Sequence, residues 1–163
     1  MSNALFYTFS TIAQTLAGAM ALLAAFLLYR LQTLNGTIER DAERISLAIE
    51  GLHGRAREFF DDGQYKELLA AAAQVAFPPG HYRAETERTR LPRLLGKKTR
   101  LVRDFQVALY MTAGLITFSV LALILTPYAA NRAWCVTVMF VIGIVGFALC
   151  MASYIRVLKS AMA

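Results

Sequence analysis

The chain has 163 residues, 57% of them hydrophobic and 17% charged, with a formal net charge of +6 at pH 7 and a mean hydropathy of +0.47. This balance excludes an ordinary soluble domain, because charge is missing from whole regions rather than thinly spread. No charged side chain occurs from Met1 to Tyr29, from Phe105 to Asn131 or from Ala133 to Ile155, and each run exceeds the roughly 20 apolar residues that cross a bilayer. The expectation is an all-α, polytopic transmembrane helical bundle of three spans, residues 4–30, 105–128 and 133–156. A cytoplasmic helical region, residues 31–104, is expected to form a hairpin between spans 1 and 2.

Span 1 lacks the basic leader of a secretory signal, and its apolar stretch is longer than the roughly 7–15 residues such a signal carries, so it reads as a retained span. Within it, Gln14 stands out: its amide offers two donors and an acceptor, and hydrocarbon supplies partners for none. On a helical wheel Leu5, Phe9, Ile12, Leu16, Met20, Leu23 and Leu27 share one side, expected to face lipid. Thr11, Gln14, Gly18, Ala21 and Ala25 run along the other, the small, weakly polar surface that lets helices approach and bond. These five residues are expected to pack helices together or to line a pore. As interhelical glue, Gln14 contributes about 0.6–2 kcal/mol. In the pore reading it faces a cavity beside Thr8, Thr11 and Thr15. The stretch "LFYTFSTIAQTLAGAMALLAAFLLYRLQ" is similar to the entry span of small bacterial membrane proteins of unknown function, which implies an integral membrane protein and carries over no site residue.

The seam of span 1 leads through Leu31 and Asn35 towards a second one. Asn35–Gly36 is expected either to bend a single long helix or to form a turn between two. From Ile38 the apolar positions run Ala42, Ile45, Ile49, Leu52, Ala56 and Phe59, alternating steps of four and three, as in one packed helix. Asp41, Arg44 and their charged neighbours are expected on its solvated face, and His53 and His81 on the surface. "DDGQ" offers Asp61 as an N-cap with Gln64 three residues on. The helix that follows is expected to stop at "FPPG". Residues 83–103 hold eight basic side chains and two acidic ones. Pro92 and Gly96 are expected to break the helix there.

Spans 2 and 3 carry seams of their own: Ala108, Thr112, Leu115, Ser119, Ala122 and Thr126 in the first, Gly143, Gly146, Cys150 and Ser153 in the second. Gly143 and Gly146 join the helix-packing residues. Cys135 and Cys150, 15 residues apart on one helix, lie about 22 Å apart, beyond disulfide reach. Phe6, Tyr7, Tyr29, Tyr128, Trp134 and Tyr154 are placed to mark the membrane interfaces.

Of 17 Lys and Arg, 14 fall between Arg30 and Arg103. The positive-inside rule then sets a multi-pass protein of the cell inner (plasma) membrane with its N-terminus outside and its C-terminus cytoplasmic. Arg93, Lys97, Lys98, Arg100 and Arg103 are expected to contact anionic lipid headgroups, each contributing about 1 kcal/mol near the surface. No metal-ligand spacing, phosphate loop or nucleophile elbow is present, so no cofactor, metal site or enzymatic activity is expected. Nothing accompanies the basic stretch that would indicate nucleic acid. The expected function is a non-enzymatic membrane protein that self-assembles as a homo-oligomer through its small-residue faces, with a pore or channel as one outcome. The alternative is an accessory subunit of a larger membrane complex.

Overall fold

A computed structural model describes residues 2–75, 82–129 and 133–162. Five helices are found there: α1 (Ser2–Ile49), α2 (Ala56–Asp61), α3 (Tyr65–Gln74), α4 (Tyr82–Ala129) and α5 (Ala133–Met162). The fold is all-α, with no strand among the described residues. Helices α1, α4 and α5 each contain a stretch long and apolar enough to cross a membrane. The chain forms two compact units, one of Met1–Leu28 and Arg100–Ala163, the other of Tyr29–Thr99.

In the first unit, parts of three helices pack large side chains against small ones. Along α1 the buried residues are Phe9, Leu16, Met20, Leu23 and Leu27, so the large face expected to meet lipid is the packed one. Phe9 sits edge-on to Phe118, ring centroids 6.0 Å apart, and its ring tip occupies the space where Gly143 lacks a side chain. Leu115 fills the corresponding space at Gly146. The span 2 seam is buried as expected at Ala108, Thr112, Leu115, Ser119 and Ala122; the side chain of Thr126 lies outside the described residues.

The hydroxyls of Thr112, Ser119, Ser153 and Tyr154 are hydrogen-bonded within this unit, as buried polar groups usually are. Thr112 donates to the Ala108 carbonyl at 2.7 Å. Its proton being committed there, Thr112 accepts from Tyr154, whose hydroxyl lies at 2.7 Å. Tyr154 is therefore a buried interhelical tie and not an interfacial marker, whereas Tyr7, Tyr29 and Trp134 are exposed. Phe6 and Tyr128 have side chains outside the described residues.

The second unit is centred on Ile38, Ala42, Ile45 and Ile49 of α1, with Ala56, Leu68, Ala71 and Ala72 from the short helices and Leu91 and Leu94 from α4. Helix α1 passes through Asn35–Gly36 without a turn. The seam expected to continue to Phe59 instead stops at Ile49: residues 50–55, which include Gly51 and Gly54, form turns, and Leu52 is exposed. Ala56 returns to the core as the first residue of α2.

Asp61 is not an N-cap. It closes α2, and the chain reverses at Gly63, whose φ is +68°. Gln64 donates to the Phe59 carbonyl at 2.8 Å and Gly63 to that of Phe60 at 3.0 Å, the paired bonds of a glycine-terminated helix end. "DDGQ" is thus a stop signal, and α3 starts at Tyr65 without a side-chain cap. The "FPPG" stop and His81 lie outside the described residues.

The break expected at Pro92 and Gly96 is also absent, since both lie inside α4. A proline in a helix interior removes one hydrogen bond and costs about 3 kcal/mol. Leu91 and Leu94, buried on either side of it in the core, keep the helix in register through that loss.

Candidate functional site

Helices bury one face and offer the other, so the exposed side of α1 follows from the packing of Phe9, Leu16, Met20, Leu23 and Leu27. Thr11, Gln14, Gly18, Ala21 and Ala25 are all exposed in the protomer. The Gln14 amide makes no hydrogen bond among the described residues. The five residues share one helix face in the charge-free part of α1, a weakly polar strip bordered by the exposed Tyr7 and Leu22. A Cβ added at Gly18 meets nothing within 4 Å, so the surface there is open.

Gly143 and Gly146 belong elsewhere. They lie on α5 and are already occupied, by Phe9 and Leu115 of the same chain. The expected packing set therefore divides into an internal pair of notches and an outward strip. Of the basic residues, Arg93, Lys97, Arg100 and Arg103 are exposed and Lys98 is half-buried.

Two groups of charged residues were not singled out by the sequence pattern. In the second unit Asp41 is only 4% exposed, so it belongs to the packed face of α1 and not to the solvated one. Arg90 of α4 lies 3.8 Å from Asp41 Oδ2, and Arg44 of α1 donates to Glu87 of α4. Oδ2 of Asp41, Oε2 of Glu87 and Oγ of Ser46 are buried without hydrogen-bond partners among the described residues. Burial pushes the Asp41 carboxyl above its ordinary value, against the pull of Arg90 and with a further push from Glu87. In the first unit, Asp104 of α4 has a side chain only 9% exposed and faces Arg156 of α5 at 4.0 Å.

The signal for Asp41 lay in spacing: Ile38, Asp41 and Ile45 step by three and four along the buried stripe. His53 is half-buried, its Nδ1 enclosed without a partner among the described residues and its ring 5.9 Å from that of Phe59. Cys135 and Cys150 are both free thiols.

The chain matches no family model, no curated protein and no solved structure. What the molecule does must therefore be read from its own surfaces: an outward polar strip on a span, two occupied glycine notches, and clustered arginines beside buried carboxylates.

Proposed function

We propose that this is a non-enzymatic integral membrane protein that self-assembles through the strip Thr11–Gln14–Gly18–Ala21–Ala25. The observation that carries the reading is Gln14, exposed on the charge-free part of α1 with no partner for its amide among the described residues. In hydrocarbon an unpaired amide costs several kcal/mol, and a second helix removes that cost. Small residues on the same face allow the close approach such a bond needs. In the assembly the strip of each copy faces its neighbour or a shared central lumen, so the same surface serves a sealed oligomer or a pore.

The distribution of Lys and Arg supports a topology with residues 31–104 and the C-terminus on the cytoplasmic side of the plasma membrane. In that topology Arg93, Lys97, Lys98, Arg100 and Arg103 meet anionic headgroups.

The test is the mass of the protein extracted gently from its membrane, with every co-purifying chain identified. A homo-oligomer of fixed copy number is expected, and Gly18→Leu should dissociate it by holding helices apart. If assembly survives Gln14→Leu while ion flux changes, the strip lines a pore. Stoichiometric recovery with a foreign complex would overturn self-assembly and make the protein an accessory subunit.

A further inference from the structure

A groove runs along the first unit between α4 and α5. Its wider part, about 350 Å³, is lined by Arg103, Asp104, Val107 and Met111 of α4 and by Ala152 and Arg156 of α5. A second hollow of about 280 Å³ shares Met111 and continues between Gly114 and Phe118 on one side and Ile142 and Leu149 on the other. The groove is therefore graded. One end presents two guanidinium groups, a carboxylate and Ser153, whose hydroxyl donates to the Cys150 carbonyl, and the far end is mostly apolar. Gly114 leaves its floor open, since a Cβ there meets nothing within 4 Å.

The charges at the polar end are not balanced. Arg103 makes no ion pair among the described residues, and Asp104 faces Arg156 only at 4.0 Å, the outer limit of an ion pair. Two arginines and one carboxylate leave a net single positive charge. A monoanionic phosphodiester brings it to zero and accepts forked hydrogen bonds from guanidinium groups. A zwitterionic headgroup leaves the positive charge uncompensated. The apolar continuation beyond Met111 is what an acyl chain attached to that phosphodiester would fill. Together the two hollows fall within the range of small-molecule sites, roughly 300–1,000 Å³.

We infer that this groove binds one anionic glycerophospholipid, its phosphodiester between Arg103 and Arg156 and one acyl chain passing Met111 to Gly114 and Phe118. The inference rests on the membrane reading above but not on self-assembly. Asp104, nearly buried, faces Arg156 at the mouth of the groove. The lipid would seal a seam between two helices that leaves Gly114 and Leu149 uncovered.

The experiment is native mass spectrometry of the full chain in detergent, titrated separately with phosphatidylglycerol, phosphatidylethanolamine and glycerol phosphate. One phosphatidylglycerol per protomer should bind in preference to phosphatidylethanolamine, and glycerol phosphate should not compete. Replacing both arginines (Arg103→Gln, Arg156→Gln) should weaken binding roughly 30-fold, from about fivefold per basic group beside an anionic lipid. Gly114→Leu should weaken it with both arginines intact, by filling the chain-binding part, and circular dichroism would verify that each variant remains helical. Equal binding of the two lipids would overturn the charge argument. Equal competition by glycerol phosphate would make this a soluble-phosphate site and overturn the lipid assignment, as would undiminished binding in the double variant. The same spectra report oligomer mass, so loss of lipid with the oligomer intact separates failure here from failure of self-assembly.

Discussion

The glycine notches of α5 provide the sharpest test of how the first unit packs. A Cβ at residue 143 would lie 2.8 Å from Cε1 and 3.3 Å from Cζ of Phe9. Phe9 is 1% exposed and its ring is held against Phe118, so the ring tip has nowhere to move. Overpacking of this kind costs about 1–3 kcal/mol. Alanine recovers up to about 1 kcal/mol through helix propensity, which leaves Gly143→Ala destabilising by up to about 2 kcal/mol. At Gly146 the clash is also 2.8 Å, but with a terminal methyl of Leu115, which can rotate. Gly146→Ala should therefore cost less than Gly143→Ala. Gly114 meets nothing, and Gly114→Ala should be neutral or stabilising by up to about 1 kcal/mol. Unfolding in mixed micelles, read by far-ultraviolet circular dichroism, ranks the three. A double-mutant cycle of Gly143→Ala with Phe9→Leu should show a coupling of about 1 kcal/mol, because the smaller side chain vacates the notch. Zero coupling, or Gly114→Ala as damaging as Gly143→Ala, would refute the packing of α1 against α5.

Two further predictions concern the second unit. The Asp41 carboxyl titrates above its ordinary value, so the folded chain holds this proton more tightly than the unfolded one, and the stability it contributes is fully present below the unfolded pKa and lost as pH rises through the folded one. Asp41→Asn should therefore match or exceed the wild type in thermal stability at neutral pH, with the difference shrinking as pH falls towards 4; a difference that grows on acidification would refute the assignment. Gly63 adopts φ +68°, so Gly63→Ala should destabilise by about 1 kcal/mol in thermal melts, whereas Gly63→Asn should cost less; equal melting temperatures for all three would show that the reversal after α2 is not held there.

Charge and length made the three apolar helices legible. Moving an ionised side chain into hydrocarbon is so unfavourable that its absence over a long run leaves little choice of structure. The local breaks were harder, because each depended on a competition. "DDGQ" can start a helix or end one, and Gly63, able to adopt positive φ, decided for the ending. Pro92 and Gly96 oppose a helix, but Leu91 and Leu94 bury apolar surface only if the helix continues. Asp41 was misplaced because polarity suggested solvent while its spacing put it in line with Ile38 and Ile45. No pattern within a single helix reveals that Arg90 and Glu87, more than 40 residues away in sequence, arrive beside it.

The orientation of α1 follows a different rule. In water the apolar face of a helix turns inward, but lipid makes large and small apolar faces nearly equivalent, and only fit between surfaces selects one. Small residues on α1, α4 and α5 all facing one another would leave space unfilled. The notches at Gly143 and Gly146 demand large partners, and Phe9 and Leu115 supply them. Once α1 contributes its large face to that fit, Thr11, Gln14, Gly18, Ala21 and Ala25 are turned outward as a consequence. The polar amide that raised the question of a partner is thus displaced from the interior of the protomer by the glycines of another helix. The packing that closes the first unit is therefore also what leaves this weakly polar strip exposed.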